Sequence, residues 1–137
     1  MFSKIMVPVD LAHTERLGKA LSVAADIARS QNAAVVYVGV TASTPGPVAH
    51  TPDEFARKLD AFAKEQADKN GLDASAKSIT VPDPTVDLHE TLMETADELG
   101  ADLVVMASHA PGASDYIFAG YGAHLAAHSD ASVFLIR

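Results

Sequence analysis

The densest run of residue types able to do chemistry is Ala107-Ser108-His109-Ala110-Pro111-Gly112-Ala113-Ser114-Asp115-Tyr116-Ile117-Phe118-Ala119-Gly120-Tyr121-Gly122. A loop of small residues ending in Gly120-Tyr121-Gly122 at the start of a helix suits an anion. The helix N-terminus offers unpaired N–H groups and about half a positive charge, and glycine lets a phosphate approach the backbone closely. No Lys or Arg flanks the segment. The residues alone leave open a loop whose glycines serve only backbone turns.

Other constellations are weaker. Asp10, at the end of an apolar run, could hydrogen-bond a ligand or cap the turn that follows it. His124 and His128, four apart on a helix, could chelate a metal, but no third ligand is evident, so a solvated helix face is expected and no metal site is assigned. His109, Ser114 and Asp115 are the residue types of a catalytic triad, yet no Gly-x-Ser-x-Gly elbow surrounds the serine, and no catalytic residue is expected.

Charge narrows the ligand classes. Eighteen acidic residues against ten Lys and Arg leave a formal charge of −8. Such a field opposes binding to nucleic acid or an anionic membrane, so an anionic ligand must be held by local N–H groups and dipoles. The chain has no cysteine, which removes disulfides, thiol nucleophiles and thiolate metal sites. The N-terminal apolar run Ile5 to Val9 is too short for a signal segment. No apolar run reaches the roughly 18 residues of a membrane span, so residence in the cytoplasm is the expectation.

The elements that must position these residues follow from periodicity. Ser3–Asp10 and Ala33–Val40 are nearly continuous apolar runs, the pattern of strands buried on both faces. Between them Leu17, Ala20, Leu21, Ala24, Ile27 and Ala28 recur at helical steps over Thr14–Gln31, with Thr14 as N-cap. A Pro-rich loop over Thr41–Pro52 leads into the capping box Thr51-Pro52-Asp53-Glu54. The helix that follows has Phe55, Leu59, Phe62 and Ala63 as its core stripe and ends at Asn70-Gly71. Ser75–Val81 is a weaker strand, and after it Leu88, Leu92, Ala96 and Leu99 share a helix face closed by Gly100. Asp102–Ala107 and Ser132–Ile136 complete the strands, with a loop and a short helix between them.

Strict alternation of strand and helix demands crossover connections. The expected fold is therefore a three-layer α/β sandwich, a five-stranded parallel sheet with helices on both faces, built as one domain over residues 1–137. In such sheets ligands lie beyond the carboxyl ends of the strands, where strand order reverses. Pro8-Val9-Asp10, the residues around Val40, and 107–122 all converge there.

Val7-Pro8-Val9-Asp10, the run Gly100–His109 and the ending Ser132–Arg137 resemble universal stress proteins, over essentially the whole chain. The Ala-Ser-His-x-Pro run from Ala107 to Pro111 is most similar to a nucleotide-binding subgroup. The resemblance implies a Rossmann-like, adenine nucleotide alpha hydrolase-like domain that binds ATP or AMP, with or without Mg. Carried over by position, Pro8, Val9, Asp10 and Val40 would sit at the adenosine. Met106, Ala107, Ser108 and His109 would line the nucleotide wall, with Gly120, Tyr121 and Gly122 at the phosphates.

The phosphate motif of that family departs here. Ala107 and Ala110 stand where its first two glycines are expected, and either Gly120 fits the third with Tyr121 replacing the hydroxyl or amide residue after it, or, against the subgroup's loop, Ala119 falls on the glycine and Gly120 on the serine. The resemblance thus implies a stress-response regulatory protein that binds an adenine nucleotide with at most slow hydrolysis. The alternative is a nucleotide-free member acting through protein contacts. In both readings a homodimer through Ser132–Ile136 is expected, because an apolar strand at a sheet edge needs cover.

Overall fold

The computed structural model describes residues 1–108 and 121–137. Five strands form one parallel sheet: β1 (Lys4–Pro8), β2 (Ala34–Ala42), β3 (Ala74–Val81), β4 (Leu103–Ala107) and β5 (Ser132–Ile136), in spatial order β3-β2-β1-β4-β5. The helices are α1 (Gly18–Gln31), α2 (Pro52–Asn70), α3 (Pro84–Leu99) and α4 (Tyr121–His128). Right-handed crossovers put α1 and α2 on one face and α3 and α4 on the other. The expected three-layer α/β sandwich is what the chain forms.

The central strands β1 and β4 are almost wholly buried. In β1, Met6 pairs in register with Val36 of β2 and Val104 of β4, and all three are buried. Ala20, Ala24, Ala25 and Ala28 give α1 a narrow face that can lie close to the sheet. Larger residues fill the remaining space: Leu59 of α2, Leu88 and Leu92 of α3 and Leu125 of α4 are fully buried. Each such burial is worth about 1.5–3 kcal/mol before entropic costs. Gly39 of β2 lies under α2, where a Cβ would stand 2.9 Å from the Phe55 ring and 3.0 Å from Leu59 Cδ2.

Several ends follow the expected chemistry. Thr51 Oγ1 accepts the Glu54 N–H at 3.1 Å, Pro52 opens α2, and Gly71 closes it at φ +65°. The Glu54 carboxylate reaches back past the cap to the His50 N–H at 3.2 Å. Gly100 takes φ +66° just after α3. Asp102 ties β1 to β4: one oxygen accepts the Ser3 N–H and hydroxyl at 2.9 and 3.0 Å, and the other accepts the Lys4 N–H at 3.1 Å.

The first helix differs from expectation. Thr14 does not cap it. A 3-10 turn over Leu11–Arg16 precedes α1, broken by non-helical backbone at His13 (φ −135°, ψ 43°). Leu17, the N-cap of α1, makes no side-chain cap bond. The reason is local competition: Asp10 caps the 3-10 turn first, by accepting the Ala12 N–H. Strand β2 also runs two residues further than expected, because Thr41 and Ala42 pair with Thr80 and Val81 of the neighbouring edge strand. Among the described residues no helix is long and apolar enough to cross a membrane.

Candidate functional site

Strand order reverses at β1, which has β2 on one side and β4 on the other. Their carboxyl ends therefore frame the crevice that ligands use in sheets of this kind. The backbone there is tightly held. Val9 N–H donates to the Val38 carbonyl and Ser108 N–H to the Ile136 carbonyl, both at 2.8 Å.

Of the residues expected at a ligand, Pro8, Val9, Asp10, Val40, Met106, Ala107 and Ser108 all come to this end of the sheet. Val9 and Met106 are almost wholly enclosed in the core, so what they can offer a ligand is chiefly backbone and wall. Ser108 is half-buried. His109 and Gly120 lie outside the described residues, as do Ser114, Asp115 and the side chain of Tyr121.

Asp10 follows the carboxyl end of β1. Only 8 % exposed, it accepts the Ala12 N–H through Oδ1 at 3.0 Å and faces His13 Nδ1 through Oδ2 at 2.8 Å. A carboxylate on Nδ1 fixes the ring's orientation and favours the proton on that nitrogen. The reading of Asp10 as a cap is borne out by the Ala12 bond. His13 was not anticipated. Its signal was the Asp10-x-x-His13 spacing directly after a strand end, which a 3-10 turn brings face to face.

Gly122 is buried, with α4 crossing β5 at its position. A Cβ there would lie 1.9 Å from Leu135 Cδ2. Close helix–strand approach is by itself a sufficient reason for this glycine.

The expectation that His124 and His128 form a solvated helix face holds for His128, which is exposed, and needs correction for His124, which is half-buried. The ring of His124 packs on His89 of α3, centroids 4.4 Å apart, and the ring of His128 lies 4.5 Å from His124. Burial, and then the charge of His124, hold His89 below the ordinary histidine value. Nothing in the sequence marks His89, because its neighbour is set by how two helices meet. Among the described residues no group of three or more His, Cys, Asp or Glu is arranged to hold a metal.

The profile of the Universal stress protein family matches residues 1–137. Among similar solved structures is a universal stress protein in complex with cAMP, 20 % identical, covering 99 % of this chain and 97 % of its own, with a TM-score of 0.69. A universal stress protein from Archaeoglobus fulgidus in complex with dAMP is 19 % identical, with 98 % of each chain covered and a TM-score of 0.69. A universal stress protein family protein from Arabidopsis thaliana with AMP bound is 15 % identical, covering 98 % of this chain and 90 % of its own at a TM-score of 0.66. At these identities the likeness is one of fold.

Proposed function

The chain belongs to the universal stress protein family, and from that premise we propose that it binds an adenine nucleotide, ATP or AMP, at the carboxyl ends of β1, β2 and β4. One observation carries the reading: Asp10, Val40 and the run Met106–Ser108 meet at the reversal of strand order. Structures of similar fold hold cAMP, dAMP and AMP, ligands that share an adenine, a sugar and a single phosphate. This chain's phosphate motif carries Ala107, Ala110 and Tyr121 in place of two glycines and a hydroxyl or amide residue. Both facts favour a site that reads the adenosine and its first phosphate. A monophosphate then binds at least as well as ATP, Mg adds little, and hydrolysis is slow at most. The role is regulatory, in the cytoplasm, within the subgroup carrying the Ala-Ser-His-x-Pro run.

Calorimetric titration of the nucleotide-stripped protein with AMP, ADP and ATP, with and without Mg, tests this. The expected outcome is binding of AMP no weaker than of ATP, lowered by about tenfold or more in Asp10→Ala. Absence of heat at millimolar ligand, with the protein folded, overturns it.

A second reading, a nucleotide-free protein acting through contacts with other proteins, is favoured by the exposed Phe134 and Leu135 on the edge strand β5. We propose a homodimer through β5 under either reading, since an apolar edge with unpaired backbone groups is a template for a second copy.

A further inference from the structure

The segment just past β1 closes on itself through three contacts between Asp10 and the residues that follow it. His13 N–H donates to the Asp10 carbonyl at 3.0 Å, Ala12 N–H donates to Asp10 Oδ1 at 3.0 Å, and His13 Nδ1 meets Asp10 Oδ2 at 2.8 Å. The segment is anchored in turn, because the Val9 N–H before it is bonded to the Val38 carbonyl of β2. Asp10 is buried and His13 half-buried.

Capping accounts for only part of this arrangement. The turn needs one side-chain acceptor, and Oδ1 supplies it to the Ala12 N–H. The contact through Oδ2 does something else. The last torsion of an aspartate is broad and roughly two-fold, so a carboxylate held by one oxygen can still turn its plane. Held through both oxygens, by the backbone on one side and by a ring on the other, its plane is set.

The ring is itself placed by the chain. Residues three apart in a 3-10 turn lie over one another, which brings position 13 onto position 10. The backbone leaves the helical region at His13 (φ −135°, ψ 43°), so the first turn stops at the residue whose side chain closes it. A second turn then begins, with the Leu17 N–H on the Thr14 carbonyl at 3.0 Å.

We propose that His13 is a positioning residue of the nucleotide site: through Nδ1 it holds the Asp10 carboxylate in the orientation that meets a hydrogen-bond donor of the adenosine, a ribose hydroxyl or the adenine amino group. The inference rests on the nucleotide reading above and deepens it. A carboxylate accepts hydrogen bonds and repels phosphate, so the parts of the ligand it can bind are those that donate. Hydrogen bonds weaken steeply as they lose alignment. A carboxylate whose plane is set beforehand spares the complex the ordering of that side chain, which is worth about two- to tenfold in affinity.

A double-mutant cycle read by calorimetric titration with AMP tests the assignment. His13→Phe keeps a ring and removes Nδ1, and is expected to weaken AMP binding about fivefold. His13→Asn loses the ring but carries amide N–H donors near the place of Nδ1, and is expected to recover binding to within about twofold of the wild type. In the Asp10→Ala background His13→Phe is expected to have no further effect, because the residue it acts through is gone. A role in packing alone predicts the reverse order, with Phe harmless and Asn damaging, and that order overturns the proposal. So does a loss from His13→Phe that is equally large with and without Asp10, which would mean direct contact with the ligand or support of the fold. Should His13→Phe fail to fold, His13→Ala takes its place in the same cycle. AMP binding that falls in Asp10→Ala and is indifferent to His13 overturns the positioning role and leaves the nucleotide site standing, whereas no binding by the folded wild type overturns both.

Discussion

The two edges of the sheet solve the same problem in opposite ways. β3 exposes Ser75, Lys77 and Thr80 in alternation with half-buried Ala74, Ala76, Ile79 and Val81. A lysine in mid-strand makes that edge a poor template for another chain. β5 exposes Phe134 at 47 % and Leu135 at 41 %, side by side and without a charge. Successive residues of a strand point to opposite faces. Leu135 meets α4 at Gly122, so Phe134 points to the face shared by α1 and α2. Both layers are thus thin at β5, and one edge is closed by its composition while the other is left apolar.

The helix–sheet contacts near these edges are mirror images as well. On the β3 side the strand supplies the glycine, Gly39, and the helix supplies bulk in Phe55 and Leu59, both buried. On the β5 side the helix supplies the glycine, Gly122, and the strand supplies Leu135, which is partly exposed. A clash on the first side has nowhere to go. On the second, the leucine can swing outward.

The largest expected effect belongs to the edges themselves. Phe134→Lys is expected to weaken the dimer proposed through β5 by about 100-fold or more, since a charge would be buried at the centre of the proposed contact. Lys77→Ala on the opposite edge should leave self-association within about twofold. Sedimentation over a concentration series reads both, and a wild type that stays monomeric at high concentration would break the contrast.

Next come the glycines. Gly39→Ala is expected to cost about 1–3 kcal/mol by overpacking. Gly122→Ala is expected to change stability by less than about 1 kcal/mol, because relief of the clash and the better helix propensity of alanine offset each other. Urea denaturation separates the two, and equal losses would mean that Leu135 is pinned.

Between the edges, Asp102→Asn should cost about 1–2 kcal/mol at neutral pH by weakening the hydrogen bonds that tie β1 to β4. Burial alone would raise the Asp102 carboxyl, but the bonds from Ser3 and Lys4 outweigh it and hold the group below its usual 3.8. A depressed carboxyl contributes above its free value and loses that contribution as pH falls through its folded one. The difference between wild type and Asp102→Asn should therefore shrink below about pH 3.8. Neither edge is involved, so self-association should be unchanged.

Much of this architecture was legible in local pattern. The continuous apolar runs of β1, β2 and β4 announced a parallel sheet covered on both faces, and β5 was read at its observed bounds of Ser132–Ile136. Thr51 and Gly71 marked the ends of α2 because a cap and a left-handed residue act within a few positions of each other. At Asp10 two short-range options competed, and the 3-10 turn displaced the expected Thr14 cap. In the crevice, Pro8 to Asp10, Val40 and Met106 to Ser108 were legible because strand ends in an alternating fold must meet at the reversal of order.

The sequence by itself determined which segments are strands and helices, the class of fold, and which strand ends meet at the candidate site, because periodicity, caps and crossover rules act over short stretches of chain. Only the tertiary structure decided that His13 faces Asp10, that Gly122 makes room for Leu135, and that His89 meets His124. The last two contacts join residues on separate elements, and the first turns on a backbone break at His13. Their partners are chosen by the packing of helices on the sheet and by the exact path of one turn, which no local pattern records.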